Sequence, residues 1–103
     1  MIDTIIKQPN GVRADELCEM VIITNERGLH ARAAAKFVQT AADHDAEIHV
    51  MMGDMRVDGS SIMGLMLLAA SHGSRLKLCA SGPEAANAIN DLSDLIRRGF
   101  DEN

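Results

Sequence analysis

His30 is the residue whose type and position point most directly to chemistry. It stands two residues after Gly28 and directly before an alanine-rich stretch with helical spacing, so it is predicted to lie at a helix N-terminus. The first backbone N–H groups of a helix have no intrahelical partners, and the helix dipole adds about half a positive charge, so an anion is stabilised there. Arg32 adds a guanidinium whose planar fork of donors suits phosphate oxygens. An imidazole that carries a phosphoryl group is such an anion, and this stretch therefore predicts a phosphohistidine site.

The alternative role for His30 is that of a simple helix cap, which is the default for an isolated loop histidine. The surrounding sequence, Gly-Leu-His-Ala-Arg, favours the phosphohistidine. To attack, the imidazole must present an unprotonated nitrogen, and a helix N-terminus disfavours the imidazolium. The dipole would thus help both the nucleophile and the anionic product.

The two cysteines and the three other histidines predict no second site. Cys18 and Cys79 are far apart, without C-x-x-C spacing or a secretory context, so free structural thiols are expected rather than a disulfide. His44, His49 and His72 have no ligand spacing to a cysteine or carboxylate cluster, and no metal site is expected.

Composition narrows the class of protein. At 103 residues, 47% hydrophobic and 24% charged, the chain has material for one domain with a single core. The net charge is −5, so the chain has no excess of positive charge to bind phosphates. It has no Tyr or Trp and only two Phe, so few aromatic side chains could stack on bases. Nucleic-acid binding is therefore not expected. No apolar stretch approaches the ~20 residues of a membrane span and no secretion signal is visible, so we expect a cytoplasmic protein without membrane insertion.

The pattern of apolar residues predicts an α+β domain over 18–103, preceded by a flexible N-terminal extension, 1–17, that has no sustained period. The extension has no assigned role. The predicted elements are a strand over 18–24, a helix over 31–42, a hairpin of strands 47–52 and 55–58, a helix over 62–70, a strand over 76–79 and a final helix. The final helix begins with the capping-box spacing of Ser81 to Glu84 and ends near Gly99. The order βαββαβα favours an antiparallel sheet with the helices on one face.

The second predicted helix is apolar on all sides, which a single sheet cannot accommodate. The residues predicted to face the core are Leu65, Leu68 and Ala69. A second group of apolar residues lies on another side of the helix, away from the core: Ile62, Met63 and Met66. A small protein that merely exposes a few apolar residues is the alternative. Proximity to His30 and the adaptability of methionine favour docking of partner proteins.

Two segments carry a family resemblance. Ile23 to Arg32, ITNERGLHAR, resembles the active-site segment of the HPr family, the histidine phosphocarriers of the bacterial phosphotransferase system. Ser61 to Met66, SIMGLM, resembles that family's regulatory serine and the short helix after it, at the expected distance from the histidine. The resemblance extends from about Cys18 to the C-terminus. One residue departs from the pattern: the family usually has a proline directly after the arginine, where this chain has Ala33, which restores an N–H donor.

The resemblance implies the open-faced β-sandwich of the family, with three helices on one face of a four-stranded sheet in order 1-4-2-3. It also implies that His30 accepts a phosphoryl group at Nδ1 from enzyme I, charged by phosphoenolpyruvate, and passes it to an enzyme IIA-type protein. Partners would dock on Ala31, Arg32 and Ala35 together with the exposed set of the second helix. The protein itself would need no magnesium or other cofactor.

Ser61 and the C-terminal tail suggest a regulatory relay. By resemblance, Ser61 would be the target of an HPr kinase/phosphorylase, although a serine at a helix start also acts as an N-cap. The ending Gly99 to Asn103 resembles the tail of the nitrogen-related branch of the family. The alternative function is that of a regulatory binding module, which docks to a partner and uses phosphorylation only as a switch or not at all.

Overall fold

The computed structural model describes residues 15–102, so most of the predicted extension, 1–17, lies outside the described residues. Within these residues, four strands and three helices follow one another in the predicted order βαββαβα, and a 3₁₀ turn follows the last helix. The elements are β1 (Leu17–Ile22), α1 (Ala31–Ala42), β2 (Glu47–Met52), β3 (Met55–Asp58), α2 (Ile62–Leu67), β4 (Arg75–Ser81), α3 (Ala85–Arg97) and the turn Gly99–Asp101. All strand pairs are antiparallel and the strand order is β1-β4-β2-β3, which confirms the predicted fold class.

One face of the sheet and one stripe of each long helix form the core, as alternation in strands and 3.6-residue spacing in helices require. The buried side chains that the strands contribute are Val21, Ile48, Val50, Leu76, Leu78 and Ala80. The stripe of α1 is Ala33, Ala34, Phe37 and Ala41, while α3 buries Ala85, Ala88, Ile89, Leu92, Leu95 and Ile96. The opposite face of the sheet, called the open face below, is covered by no helix of residues 15–102 and includes Met20, Ile22, Met51 and Cys79.

Helix α2 is shorter than predicted, and one of its core assignments was wrong. The helix ends at Leu67, because Ala69 adopts a left-handed backbone with φ +53° that reverses the chain. Leu65 and Leu68 are buried as predicted, but the reversal leaves Ala69 exposed and buries Ala70 instead.

The predicted capping box of α3 is also wrong. Ser81 is the last residue of β4, and Glu84 is the N-cap, with no side-chain hydrogen bond to its own helix. The Glu84 carboxylate instead accepts a 2.6 Å hydrogen bond from the backbone N–H of Asp45, and so ties the start of α3 to the loop after α1.

The prediction of two free thiols is wrong as well: Cys18 and Cys79 form a disulfide. They are directly opposed in the β1–β4 register, with Cα atoms 4.1 Å apart. Opposed residues of an antiparallel pair point to the same face, so both sulfurs lie on the open face. A separation of 61 residues in sequence concealed this pairing.

Within residues 15–102, no helix is both long enough and apolar enough to cross a membrane.

Candidate functional site

His30 is positioned by the loop that joins β1 to α1. It is the N-cap residue of α1, with extended backbone angles of φ −78° and ψ 179°. Before it, Gly28 adopts φ +68°, and the loop is closed by a 2.8 Å hydrogen bond from Asn25 Nδ2 to the Gly28 carbonyl. The Leu29 N–H donates to Ala70 O over 3.0 Å, which fastens the loop to the segment after α2. The predicted helix N-terminus is thus held from both sides.

The His30 ring contacts the C-terminal end of the described chain. Its Nε2 makes a short hydrogen bond and ion pair with Glu102 Oε2, and 15% of the side chain is exposed. Asn25 Nδ2 donates to the other Glu102 oxygen over 3.0 Å. Because a carboxylate only accepts, its neighbour Nε2 carries the proton. In the neutral ring the lone pair then lies on Nδ1, which has no hydrogen-bond partner among residues 15–102.

The Glu102 carboxylate is stabilised in its charged form. The hydrogen bond from His30 has the largest effect and lowers its pKa, while desolvation opposes it. The hydrogen bond from Asn25 and the charges of His30 and Arg27 lower the pKa further. A carboxylate therefore lies beside the ring across the neutral pH range.

The first turn of α1 offers donors to an anion. The first intrahelical bond runs from Ala34 N to His30 O, 2.8 Å, so the N–H groups of residues 31–33 precede the ladder. No acceptor within the described part of the chain takes them up. Ala33, which replaces the family's usual proline, is buried within an unbroken α1 and contributes one of these N–H groups. Arg32 is exposed and has no ion-pair partner among residues 15–102, so its charge is available to a ligand.

An open cleft of about 660 Å³ lies beside the histidine, between the loop before α1 and the C-terminal turn. Five cationic side chains and three acidic ones line it: Arg27, Arg32, Lys36, Arg97, Arg98, Glu26, Asp101 and Glu102. Lys36 donates a 2.7 Å hydrogen bond to Phe100 O, which holds the C-terminal turn against α1. His30 itself is not part of the lining, so the cleft is a neighbouring basic surface rather than an enclosing pocket.

Ser61 is the N-cap of α2, and its hydroxyl accepts a 2.9 Å hydrogen bond from Gly64 N. The residue is half-buried. Ser60 does not cap the helix; its hydroxyl donates to Asp58. The structure therefore shows the capping role of Ser61, and phosphorylation of this residue stays a prediction.

The predicted docking residues lie on or next to α1 and α2, which pack against each other. We call this the α1–α2 surface, and it comprises Ala31, Arg32, Ala35, Ile62, Met63 and Met66. Met63 is 78% exposed, Ile62, Met66 and Ala31 are also exposed, and Ala35 is half-buried. Leu67, which sequence reasoning did not select, is 69% exposed and extends the apolar part of this surface.

Three polar residues that hold the His30 loop and the C-terminal turn were also missed: Asn25, Lys36 and Glu102. Glu102 is 72 positions from its partner, and Lys36 is 64 positions from the carbonyl that it binds. No local periodicity reports such contacts. The only available signal was the similarity of the C-terminal tail to one branch of a family.

Comparisons with known proteins agree on one family. The profile PTS-HPr, described as the PTS HPr component phosphorylation site, matches residues 18–98. Phosphocarrier protein HPr of Neisseria meningitidis serogroup A is 46% identical over 86 residues, which cover 84% of this chain and 97% of that protein. Phosphocarrier protein NPr of Shewanella violacea is 36% identical over 87 residues, covering 84% of this chain and 96% of that protein.

A solved structure shares the fold. The crystal structure of HPr-C-His from Thermoanaerobacter tengcongensis superimposes with a TM-score of 0.81 at 42% identity, covering 84% of this chain and 98% of that one. Fold and sequence together define a phosphocarrier of the bacterial phosphotransferase system. The chain belongs to the HPr family.

Proposed function

We propose that His30 accepts a phosphoryl group from a phosphohistidine of enzyme I, charged by phosphoenolpyruvate, and passes it to a histidine of an enzyme IIA-type protein. The observation that carries the proposal is the environment of the imidazole. His30 begins α1, Glu102 occupies its Nε2, and Nδ1 has no partner within the described residues. The ring is thus oriented with one nitrogen available for attack.

The transfer breaks one P–N bond and forms another. The Nδ1 lone pair attacks phosphorus, and the donor's imidazole nitrogen leaves with the electron pair of the broken bond. The phosphorylated ring keeps its proton on Nε2 and becomes cationic, so the hydrogen bond to the Glu102 carboxylate becomes charge-assisted. Transfer to the acceptor reverses these steps.

Arg32 and the N–H groups of the first turn of α1 are the proposed stabilisers of the phosphoryl oxygens. Phosphoryl transfer depends largely on positioning and on charge stabilisation, which fixed amides and a guanidinium supply. Arg32 is exposed and so can also meet the donor's phosphoryl group before transfer. We expect Arg32→Ala to slow transfer in both directions but to leave more activity than His30→Ala, because the backbone donors remain.

The α1–α2 surface is the proposed docking site for enzyme I and for the acceptor. It combines the exposed side chain of Met63 with the guanidinium of Arg32. This combination suits a partner surface that has an apolar centre with acidic side chains around it. These encounters would take place in the cytoplasm.

A regulatory, nitrogen-related relay is the finer form of this proposal. It is supported by the NPr of Shewanella violacea at 36% identity and by the resemblance of the tail from Gly99 to Asn103. In this relay Ser61 would be phosphorylated by an HPr kinase/phosphorylase. The HPr relatives, which reach 46% identity, make the sugar-transport branch the competing assignment.

A second candidate function is a binding module that docks to a regulator, with phosphorylation only as a switch. It is favoured by the exposed apolar part of the α1–α2 surface, including Met63 and Leu67, which could bind a partner in the unphosphorylated state. A phosphocarrier must give up its phosphoryl group to an acceptor, whereas a binding module need only respond to it. Release of the phosphoryl group to an enzyme IIA-type protein therefore separates the two functions.

The experiment is incubation of the purified protein with phosphoenolpyruvate and enzyme I, followed by intact-mass measurement. The wild type is expected to gain one acid-labile, alkali-stable phosphoryl group, and His30→Ala is expected to gain none. His72→Ala is the matched control, because His72 lies exposed in a turn and is not the N-cap of a helix. A phosphohistidine that persists in His30→Ala would move the site to another histidine and overturn the proposal.

A further inference from the structure

The open face of the sheet brings together four potential metal ligands that are scattered in sequence. Cys18, Cys79 and His49 stand side by side on β1, β4 and β2, because Cys79 is the register partner of both other residues. Glu16 precedes Cys18 by two positions and shares its face. One Glu16 carboxylate oxygen and the two sulfurs all lie within 4.8 Å of one another.

His49 lies beside this group of three and is the fourth candidate ligand, although it is not among the atoms that all lie within 4.8 Å of one another. Its Nδ1 is buried and has no hydrogen-bond partner within the described residues, and it lies 3.8 Å from Glu16 Oε2. Two ligands held about 2.0–2.3 Å from a tetrahedral zinc ion are separated by roughly 3.3–3.8 Å. For a nitrogen and an oxygen ligand the separation is roughly 3.3–3.6 Å, so the imidazole and the carboxylate, 3.8 Å apart, need to approach each other only slightly to share an ion. A buried imidazole nitrogen without a partner is otherwise unfavourable.

We propose that reduction of the Cys18–Cys79 disulfide creates a zinc site on the open face, with the two thiolates, His49 Nδ1 and Glu16 as ligands. Two sulfurs, one nitrogen and one oxygen form a donor set that suits Zn²⁺ in tetrahedral geometry. Zinc binding and the disulfide exclude each other, because the same two sulfurs take part in both.

The charges of the site balance. Two thiolates and one carboxylate carry −3, so bound Zn²⁺ leaves −1. Arg56, whose Nη2 lies 2.6 Å from Glu16 Oε2, places a positive charge against this remainder. Only 1% of the Glu16 side chain is exposed and Cys79 is fully buried, whereas Cys18 is exposed, so the ion would face water on the Cys18 side.

The chemistry has two balanced steps. A dithiol or phosphine reductant first supplies two electrons and splits the disulfide into two thiols, and the reductant itself is oxidised. The two thiols then release two protons as their sulfurs bind Zn²⁺. When a small-molecule disulfide accepts two electrons from the thiolates and is itself reduced to two thiols, the Cys18–Cys79 disulfide re-forms and the ion is released. The face would thus bind zinc under reducing conditions only.

Cobalt titration of the full-length protein tests the site. The protein is reduced with a phosphine, freed of metal and titrated with Co²⁺ under anaerobic conditions. We expect one equivalent to bind with a thiolate-to-cobalt charge-transfer band and the visible bands of a tetrahedral ion, and Zn²⁺ to bleach both. Protein with an intact disulfide is expected to show neither band.

Two variants identify the ligands without removing the buried Cys79. Cys18→Ser is expected to lose much of the charge-transfer band, and His49→Gln to weaken binding by about tenfold or more. His44→Gln is the matched control, because His44 pairs with Asp91 on α3 and should bind the metal as the wild type does. Circular dichroism of each reduced variant verifies the fold.

Three results would overturn the proposal. They are the absence of a charge-transfer band in the reduced wild type, wild-type affinity in His49→Gln, and equal metal binding by the oxidised and the reduced protein. None of these results depends on the phosphorylation of His30, so the site is tested independently of the proposed phosphocarrier function.

Discussion

Replacement of Gly28 by alanine should destabilise the loop that presents His30. Gly28 has φ +68°, and an added Cβ would overlap Ala70 O and lie 2.8 Å from Ser71 Cα. Both obstacles are backbone atoms, in the segment that accepts the Leu29 N–H over 3.0 Å. The clash can be relieved only if the loop before α1 and the segment after α2 move apart.

Gly53 provides the matched control. It has a similar φ of +59°, but an added Cβ there would meet nothing within 4 Å. Gly53→Ala therefore measures left-handed strain alone, about 1–2 kcal/mol. Gly28→Ala adds a steric term of the size found for overpacked sites, about 1–3 kcal/mol. For a domain of this size each kcal/mol lowers the melting temperature by roughly 4–8 °C, so Gly28→Ala should melt roughly 5–20 °C below Gly53→Ala.

Thermal and urea unfolding of the two variants, followed by circular dichroism, measures the difference. The rate of phosphorylation by enzyme I should also fall in Gly28→Ala and stay close to wild type in Gly53→Ala, because only the first change shifts the backbone near His30. Equal melting temperatures for the two variants would refute the close approach of Gly28 to Ala70 and the reasoning built on it.

Three further predictions concern docking, regulation and pH. Met63→Glu should weaken binding to enzyme I, because the interface would have to desolvate a charge, whereas Met20→Glu on the open face should leave binding unchanged. Titration calorimetry measures both affinities. NMR chemical-shift changes that map to the open face during titration with enzyme I would place the docking site there instead. Ser61→Asp should slow His30 phosphorylation mainly by weakening the docking of enzyme I, with little change in melting temperature. If Ser61→Asp, Ser61→Ala and the wild type were phosphorylated at equal rates, Ser61 would have no role beyond that of an N-cap. The pKa of Glu102 is lowered in the folded state, so its carboxylate stabilises the fold above pH 4.5, the ordinary carboxyl pKa, and this contribution is lost as the pH falls through the lower folded pKa. In Glu102→Gln the free energy of unfolding should therefore fall less steeply with decreasing pH than in the wild type. An unchanged pH dependence would contradict the contact with His30.

The features that local patterns encode were predictable from sequence. The bounds of α1, β2 and β3 agree with the predicted ranges, since each has a clear period and a glycine or an acidic cluster at its end. His30 was placed at the start of α1 because Gly28 interrupts the strand pattern and alanines follow it. The strand order came from family resemblance, because periodicity alone does not determine which strands pair.

The features that depend on contacts between distant residues were not predictable. Cys18 and Cys79 oppose each other only because β1 and β4 pair in one particular register. Glu102 reaches His30 because the hydrogen bond from Lys36 to Phe100 holds the 3₁₀ turn, which precedes Glu102, against α1. Alanine favours helix, yet Ala69 has a left-handed backbone and α2 ends before it. At this position the burial of Ala70 outweighs the helix propensity of Ala69.

The central claim is that the Glu102-bound imidazole of His30 receives the phosphoryl group on Nδ1. The most direct test is ¹⁵N and ³¹P NMR of the protein labelled at histidine, recorded after phosphorylation by enzyme I and phosphoenolpyruvate under alkaline conditions. We expect a single phosphorylated ring, assigned to His30, with phosphorus coupled to Nδ1 and the proton kept on Nε2. Phosphorus on Nε2 of His30, or on any other histidine, would contradict the account.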